Sequence, residues 1–152
     1  MRRIDSSGPV SILLADDDAQ DRILTEEALR LSGFPNPMHH VENGEQLMRY
    51  LRREGEYADV EQFPWPGIIL LDLNMPRKDG ISCLREIRRD PALSTIPIVI
   101  LSTSSQAEEI ERSYDLGANS YICKPADFEV LVDRIRHFAG YWFDTVNLPL
   151  GR

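Results

Sequence analysis

Four clusters in this chain carry side chains able to do chemistry: Asp16-Asp17-Asp18, Asp72-Leu73-Asn74-Met75-Pro76, Ser102-Thr103-Ser104-Ser105 and Lys124-Pro125. Each closes a short apolar run, so each reads as a strand end. Three carboxylates, a hydroxyl and an amine would converge on one edge of a sheet. Crowded acids repel one another, so the ionised set needs a cation to hold it. A hard divalent ion with oxygen ligands suits that role, and Mg²⁺ suits a site with few protein ligands and several waters. A carboxylate is also a competent nucleophile toward phosphorus, forming an aspartyl phosphate. Phosphoryl transfer demands mainly positioning and charge neutralisation, which Mg²⁺ and a lysine point charge supply. A hydroxyl at the end of the fourth strand could then bond a phosphoryl oxygen. None of the four clusters contains a histidine, so nothing resembles a general base aimed at a substrate.

The elements that must position these groups follow from the apolar pattern. Short runs recur at Ile12-Leu13-Leu14-Ala15, weakly at Met38 to Val41, at Ile68-Ile69-Leu70-Leu71, at Ile98-Val99-Ile100-Leu101 and at Tyr121-Ile122-Cys123. Three are continuously apolar, as expected for parallel strands covered on both faces. Between them lie segments with helical spacing. Ile23, Leu24, Ala28 and Leu31 share one face of the first, with Arg22, Glu26 and Arg30 largely opposite. Leu47, Tyr50 and Leu51 mark the second, Leu84 and Ile87 the third, ending before Pro91, and Ile110 and Tyr114 a weaker fourth. Leu131, Ile135, Phe138 and Trp142, spaced four, three and four apart, mark the last. Five β/α repeats predict an α/β fold, a parallel sheet with helices on both faces. In such a sheet, chemistry gathers at the carboxyl ends of the strands, beside the point where strand order reverses. Gly33, Pro35, Pro37, Pro64, Pro66, Gly67 and Pro97 punctuate the plan, and residues 54–67 read as a long surface loop.

Composition narrows the function classes. The chain has 152 residues, which suits one domain, with 42% hydrophobic and 28% charged residues. Its formal charge of −8 makes it a poor partner for nucleic acid or an anionic membrane. No apolar run approaches the roughly 20 residues that span a bilayer. Met1-Arg2-Arg3-Ile4-Asp5 has no apolar stretch behind it, so no secretory leader is expected. Cys83 and Cys123 form no framework and no CxxC motif, which fits a reducing cytoplasm.

Plainer readings stand beside these. Taken alone, Asp16-Asp17-Asp18 is a helix cap with solvated acids, and Asp18 is read as the cap with Asp21 in the first turn. Ser105, ahead of Glu108, suits a capping box. Tyr121 alone could be a half-buried sheet aromatic. His39 and His40 face opposite ways on a strand and lack partners for a metal, and His137 is a helix-surface residue. Cys123 is expected to lie buried in the sheet. Trp142, Phe143 and Leu148 either fold back on the domain or contact a partner, and aromatics past a complete fold favour the partner.

The joint pattern, Asp-Asp after strand one, Asp-Leu-Asn-Met-Pro-x-x-Asp-Gly after strand three, Ser/Thr on strand four and Lys-Pro after strand five, resembles the receiver domains of bacterial two-component response regulators. The resemblance covers about residues 10–140 and implies a doubly wound (βα)5 fold with flavodoxin-like strand order 2-1-3-4-5. It implies that Asp72 is the phosphoacceptor, and that Asp16, Asp17, Asp72 and the backbone carbonyl of Asn74 bind Mg²⁺. Lys124 would contact the phosphoryl group, with the Lys124–Pro125 bond expected cis. Ser102 and Tyr121 would form the switch pair, and Asn74 and Ser104 would tune the acyl-phosphate lifetime. Ser stands at the switch position where Thr is commoner.

A narrower resemblance lies in Tyr141-Trp142-Phe143-Asp144-Thr145-Val146-Asn147-Leu148-Pro149 and the Gly55-Glu56-Tyr57 loop, which look like the single-domain regulators that partner bacterial and cyanobacterial phytochromes. It implies residues 1–9 as a tail, 10–140 as the receiver, and 141–152 as an extension contacting the second copy of a homodimer. The expected function is acceptance of a phosphoryl group from a sensor histidine kinase, a phytochrome, in the cytoplasm, without enzymatic turnover of a substrate. The enzyme alternative is an aspartyl-phosphate phosphohydrolase of the haloacid dehalogenase type, which needs a second Asp where Asn74 stands. A flavodoxin-like cofactor carrier would want a Ser/Thr/Gly loop after strand one, not acids. A phosphate-free scaffold would not need the complete acid set.

Overall fold

The computed structural model describes residues 4–5 and 8–149. After a two-residue ladder pairing Ile4–Asp5 with Gly8–Pro9, the chain alternates strands and helices. These are β1 (Ser11–Ala15), α1 (Ala19–Leu31), β2 (Met38–Val41), α2 (Gly44–Leu51), β3 (Pro66–Leu71), α3 (Gly80–Arg89), β4 (Ile98–Ser102), α4 (Ala107–Asp115), β5 (Ser120–Cys123) and α5 (Phe128–Ala139). All five strands are parallel, in the order β2-β1-β3-β4-β5, the expected doubly wound, flavodoxin-like topology.

Strand pleating divides the core in two, because successive side chains point to opposite faces. Leu13, Ala15, Ile69, Leu71, Ile98 and Ile100 pack with α2 and α3. Ile12, Leu14, Ile68, Leu70, Val99 and Leu101 pack with α1 and α5. Register then sets the site. Ala15 pairs with Leu71, and the Asp72 amide donates to Ala15 O at 2.9 Å, so β1 and β3 release their acids side by side. Ser102 pairs with Cys123, and the Lys124 amide donates to Ser102 O at 2.7 Å.

Helix α1 is rotated from the predicted face. It buries Thr25, Ala28 and Leu29, while Ile23 is 67% exposed and Leu31 faces largely outward. Asp18 caps the helix through Gln20 and Asp21 amides, and the Thr25 hydroxyl donates to Asp21 O at 2.8 Å. A satisfied hydroxyl can be buried where apolar counting alone would choose its neighbours. Arg22 is not on the solvent side either, because its guanidinium donates to Asp16 O and Glu42 Oε1. The Ser105–Glu108 box is likewise corrected: α4 starts from Gln106 with no side-chain cap bond, and Ser104 Oγ accepts the Gln106 amide at 3.3 Å.

Beyond α5 the chain winds into a π-helical turn over Gly140–Thr145, with the Val146 amide reaching Tyr141 O. That extra residue per turn shifts the phase. Phe143, not Trp142, enters the core at 1% exposure, against Phe138 and Phe34 at centroid distances of 6.0 and 6.1 Å. Leu148 is buried with it, so these two side chains fold back on their own domain. Trp142 is partly buried and Tyr141 exposed. The 54–67 connection is more than a surface loop. Its turn at Gly55–Ala58 buries Tyr57 against Tyr50 and Phe63, and Arg53 lies over the Tyr50 and Trp65 rings. Among the described residues no helix is long and apolar enough to cross a membrane. Expectations for residues 1–3, 6–7 and 150–152 lie outside the described residues.

Candidate functional site

Asp16, Asp17 and Asp72 each present a carboxylate oxygen, and these atoms lie within 4.8 Å of one another. Asp16 is fully buried and Asp72 nearly so, while Asp17 faces solvent. The Asp16 side chain is held by the Asp18 amide at 3.0 Å. The Asp72 side chain receives a long contact, 3.5 Å, from the Asn74 amide. From the far side of the sheet edge, Lys124 Nζ reaches Asp16 Oδ2 at 2.7 Å, Asp21 Oδ2 at 3.1 Å and Asp72 Oδ2 at 3.6 Å. The peptide bonds of the described residues are all trans, Lys124–Pro125 included, which corrects the expected cis bond. X-Pro bonds favour trans by about 0.5–1 kcal/mol, and Lys124 reaches all three acids from it.

Burial pushes the Asp72 carboxyl up to about 6, with Asp16 and Asp17 adding to the rise against Lys124 and the Asn74 amide. Burial alone would lower the Lys124 pKa, but the Asp16 hydrogen bond and the charges of Asp72, Asp16 and Asp21 outweigh it and leave it raised. The amine is therefore charged at neutral pH and does not balance the acids. An all-oxygen donor set with surplus negative charge fits a hard divalent cation.

Glycine at 80 is what lets α3 start close beneath the end of β3. A Cβ there would lie 2.2 Å from Asp72 O, and the Gly80 amide donates to Leu73 O at 2.9 Å. Asp79 caps the same helix through the Ser82 amide at 2.8 Å. The Asp-Gly pair thus builds the loop that carries Asp72.

On the other side, Ser102 is fully buried and its Oγ accepts the Ser104 amide at 3.2 Å. The Ser104 carbonyl accepts from the Tyr121 hydroxyl at 2.9 Å and from Cys123 Sγ at 3.5 Å. Burial raises the Tyr121 pKa. Asn74 is exposed beside Asp72, and Ser104 sits half-buried in the β4–α4 loop. Cys123 is half-exposed, not enclosed in the sheet, whereas Cys83 is buried, which pushes its thiol up to about 12. His39 is partly buried on β2, and burial lowers its pKa. Neither it nor His40 joins the three-carboxylate group. Two residues near the site escaped the reading of motifs, Asp21 on Lys124 and Arg22 on the Asp16 carbonyl. The i, i+3 step from cap to Asp21 was the available signal, since it turns Asp21 toward the strand ends.

Residues 12–136 match the response regulator receiver domain family. Response regulator Rcp1 of Synechocystis sp. is 37% identical over 145 residues, spanning 95% of this chain and 97% of that protein. The crystal structure of the phosphorylated cyanobacterial phytochrome response regulator RcpA superposes with a TM-score of 0.85 at 43% identity, covering 92% of this chain and 98% of that one. The Mn²⁺-bound form of Rcp1 gives a TM-score of 0.83 at 37% identity, covering 93% and 99%. With its sheet order, its strand-end acids and these likenesses in agreement, the chain belongs to the response regulator receiver domain family.

Proposed function

We propose that this chain is a phytochrome-system response regulator in which Asp72 accepts a phosphoryl group from a phosphohistidine of a sensor histidine kinase. A carboxylate oxygen of Asp72 attacks phosphorus, the P–N bond breaks, and its electron pair leaves on the imidazole nitrogen. Mg²⁺ bound by Asp16, Asp17, Asp72 and the Asn74 carbonyl would neutralise charge on the phosphoryl oxygens. Lys124 contributes its ammonium to the same oxygens. The observation that carries this reading is the convergence of three carboxylates within 4.8 Å, with Lys124 Nζ 3.6 Å from Asp72.

Readout follows from the Ser104 peptide. When Ser102 Oγ turns to a phosphoryl oxygen, the Ser104 amide loses its acceptor, and the loop whose carbonyl holds Tyr121 is free to move. Contacts made only in the phosphorylated state supply the bias. Asn74 and Ser104 are small and polar, leaving water access to the acyl phosphate, which sets its lifetime. Asn74 also stands where the hydrolase alternative needs a second carboxylate. The same reading has the chain cytoplasmic, beside its kinase, bound to neither nucleic acid nor membrane. It has residues 1–9 as tail, 10–140 as receiver and 141–152 as an extension pairing with a second copy. With Phe143 and Leu148 in the core, the exposed Tyr141 and the partly buried Trp142 are aromatic side chains of the extension available for that contact.

Incubation with Mg²⁺ and acetyl phosphate tests the assignment by intact mass. The full chain should gain one phosphate-sized increment that Asp72→Ala lacks. An increment retained in Asp72→Ala, or rapid release of inorganic phosphate from a free phosphate ester, contradicts it.

A further inference from the structure

The lysine that serves the acceptor is not free to do so at rest. Of its three carboxylate neighbours, Asp16 and Asp21 lie at hydrogen-bond distance, 2.7 and 3.1 Å, and Asp72 lies beyond it at 3.6 Å. Lys124 is 9% exposed and the Asp21 side chain 35%, so this ion pair meets solvent on its Asp21 side. Its backbone is held at both ends: the amide donates to the Asp18 cap at 3.1 Å, and the carbonyl accepts the Thr25 hydroxyl at 2.8 Å. The carboxylate is therefore presented by a fixed helical turn. Asp21 lies outside the three-carboxylate group.

We infer that Asp21 is a positioning residue that, together with the shorter Asp16 bond, tethers Lys124 away from Asp72, so that the amine exchanges its Asp21 bond for a phosphoryl oxygen as Asp72 is phosphorylated. This rests on the proposed acceptor role of Asp72. A charge-assisted bond is roughly twice as strong as a neutral one, so neutralising Asp21 while keeping its shape makes the exchange easier. Asp21 acts on the rate through the lysine, not on the phosphoryl group.

The test follows the phosphorylation rate of the full chain at saturating acetyl phosphate and Mg²⁺ by intact mass. Asp21→Asn should be faster by about three- to tenfold, the size expected from weakening a half-exposed ion pair. Asp21→Glu, which restores the charge, should return toward the wild-type rate. In a Lys124→Met background Asp21→Asn should add nothing, since a group acting through another shows full coupling in a double-mutant cycle. A structure of metal-free Asp21→Asn should bring Nζ within hydrogen-bond distance of Asp72. An unchanged or slower Asp21→Asn, a Glu variant as fast as Asn, or an undiminished gain without Lys124 overturns the tether. Phosphorylation of the wild type at Asp72 together with a silent Asp21→Asn defeats this inference alone. A wild type that takes no phosphate at Asp72 defeats the acceptor reading with it.

Discussion

The two flanks of the sheet are built differently. On the β3–α3 side every residue of β3 is buried, α3 is capped by Asp79 and α2 by Asn43. Arg88 of α3 holds the α3–β4 connection through the carbonyls of Ser94 and Ile96 and crosses to the other side through Gly117 O and Asn119 Oδ1. On the β4–α4–β5 side, α4 buries only Ser113 and starts without a side-chain cap bond, and all four residues of β5 are half-exposed. Asp72 rides on the first flank, whereas Ser102, Tyr121 and Lys124 belong to the second. Elements with few buried contacts open locally at low free-energy cost. The division places the proposed acceptor on a closely packed support and Tyr121 where displacement is cheap, while Ser102 ends the fully buried β4.

The largest effect tests this division directly. Ile87→Ala in α3 should cost about 3–4 kcal/mol of stability and Ile110→Ala in α4 about 1 kcal/mol, measured by urea unfolding. Equal losses would erase the distinction between flanks.

A second test uses the seam where the flanks meet. In metal-free protein the folded Asp72 titrates at about 6 rather than 3.8, so the native state holds its proton longer than the unfolded chain. Stability therefore falls as pH rises from 3.8 to about 6, and the loss persists above that window. Asp72→Asn should stabilise metal-free protein by roughly 2–3 kcal/mol near pH 7, with the gain vanishing below the unfolded carboxylate range. A gain that is the same at both ends of the titration would contradict the burial of an ionised Asp72.

The smallest effect sharpens the comparison. Gln106→Asp supplies the side-chain cap that α4 lacks and should stabilise by about 0.5–1 kcal/mol. Slower amide exchange confined to α4 would report it, and protection spread evenly over α3 as well would argue that α4 was not the loose element.

How much of this was legible in the chain differs by element. The buried runs Ile12–Ala15, Ile68–Leu71 and Ile98–Leu101 identified three strands, because a strand covered on both faces must be apolar throughout. Strand ends then located Asp16, Asp17, Asp72, Ser102 and Lys124. What failed were readings that assume an ideal helix or count apolar residues alone. Thr25 takes a core position by satisfying its hydroxyl within α1, a bond invisible to hydrophobic spacing. Phe143 displaces Trp142 because a π turn breaks the 3.6-residue period at Gly140. Asp21 reads only as a first-turn helix acid because its partner Lys124 lies more than a hundred residues away, and only the β1–β3–β4–β5 register brings the two together. Tyr57, Phe63 and Trp65, which pack in the same core cluster as Tyr50 of α2, lie in a segment whose Pro and Gly content reads as loop.

The acceptor assignment is tested most directly by chemical trapping. After reaction with Mg²⁺ and acetyl phosphate, borohydride reduces an aspartyl phosphate to homoserine, which tandem mass spectrometry locates on the chain. Homoserine at position 72 alone is the predicted result. Homoserine at 16, 17 or 21, or phosphate that resists reduction because it sits on a hydroxyl, would contradict the account.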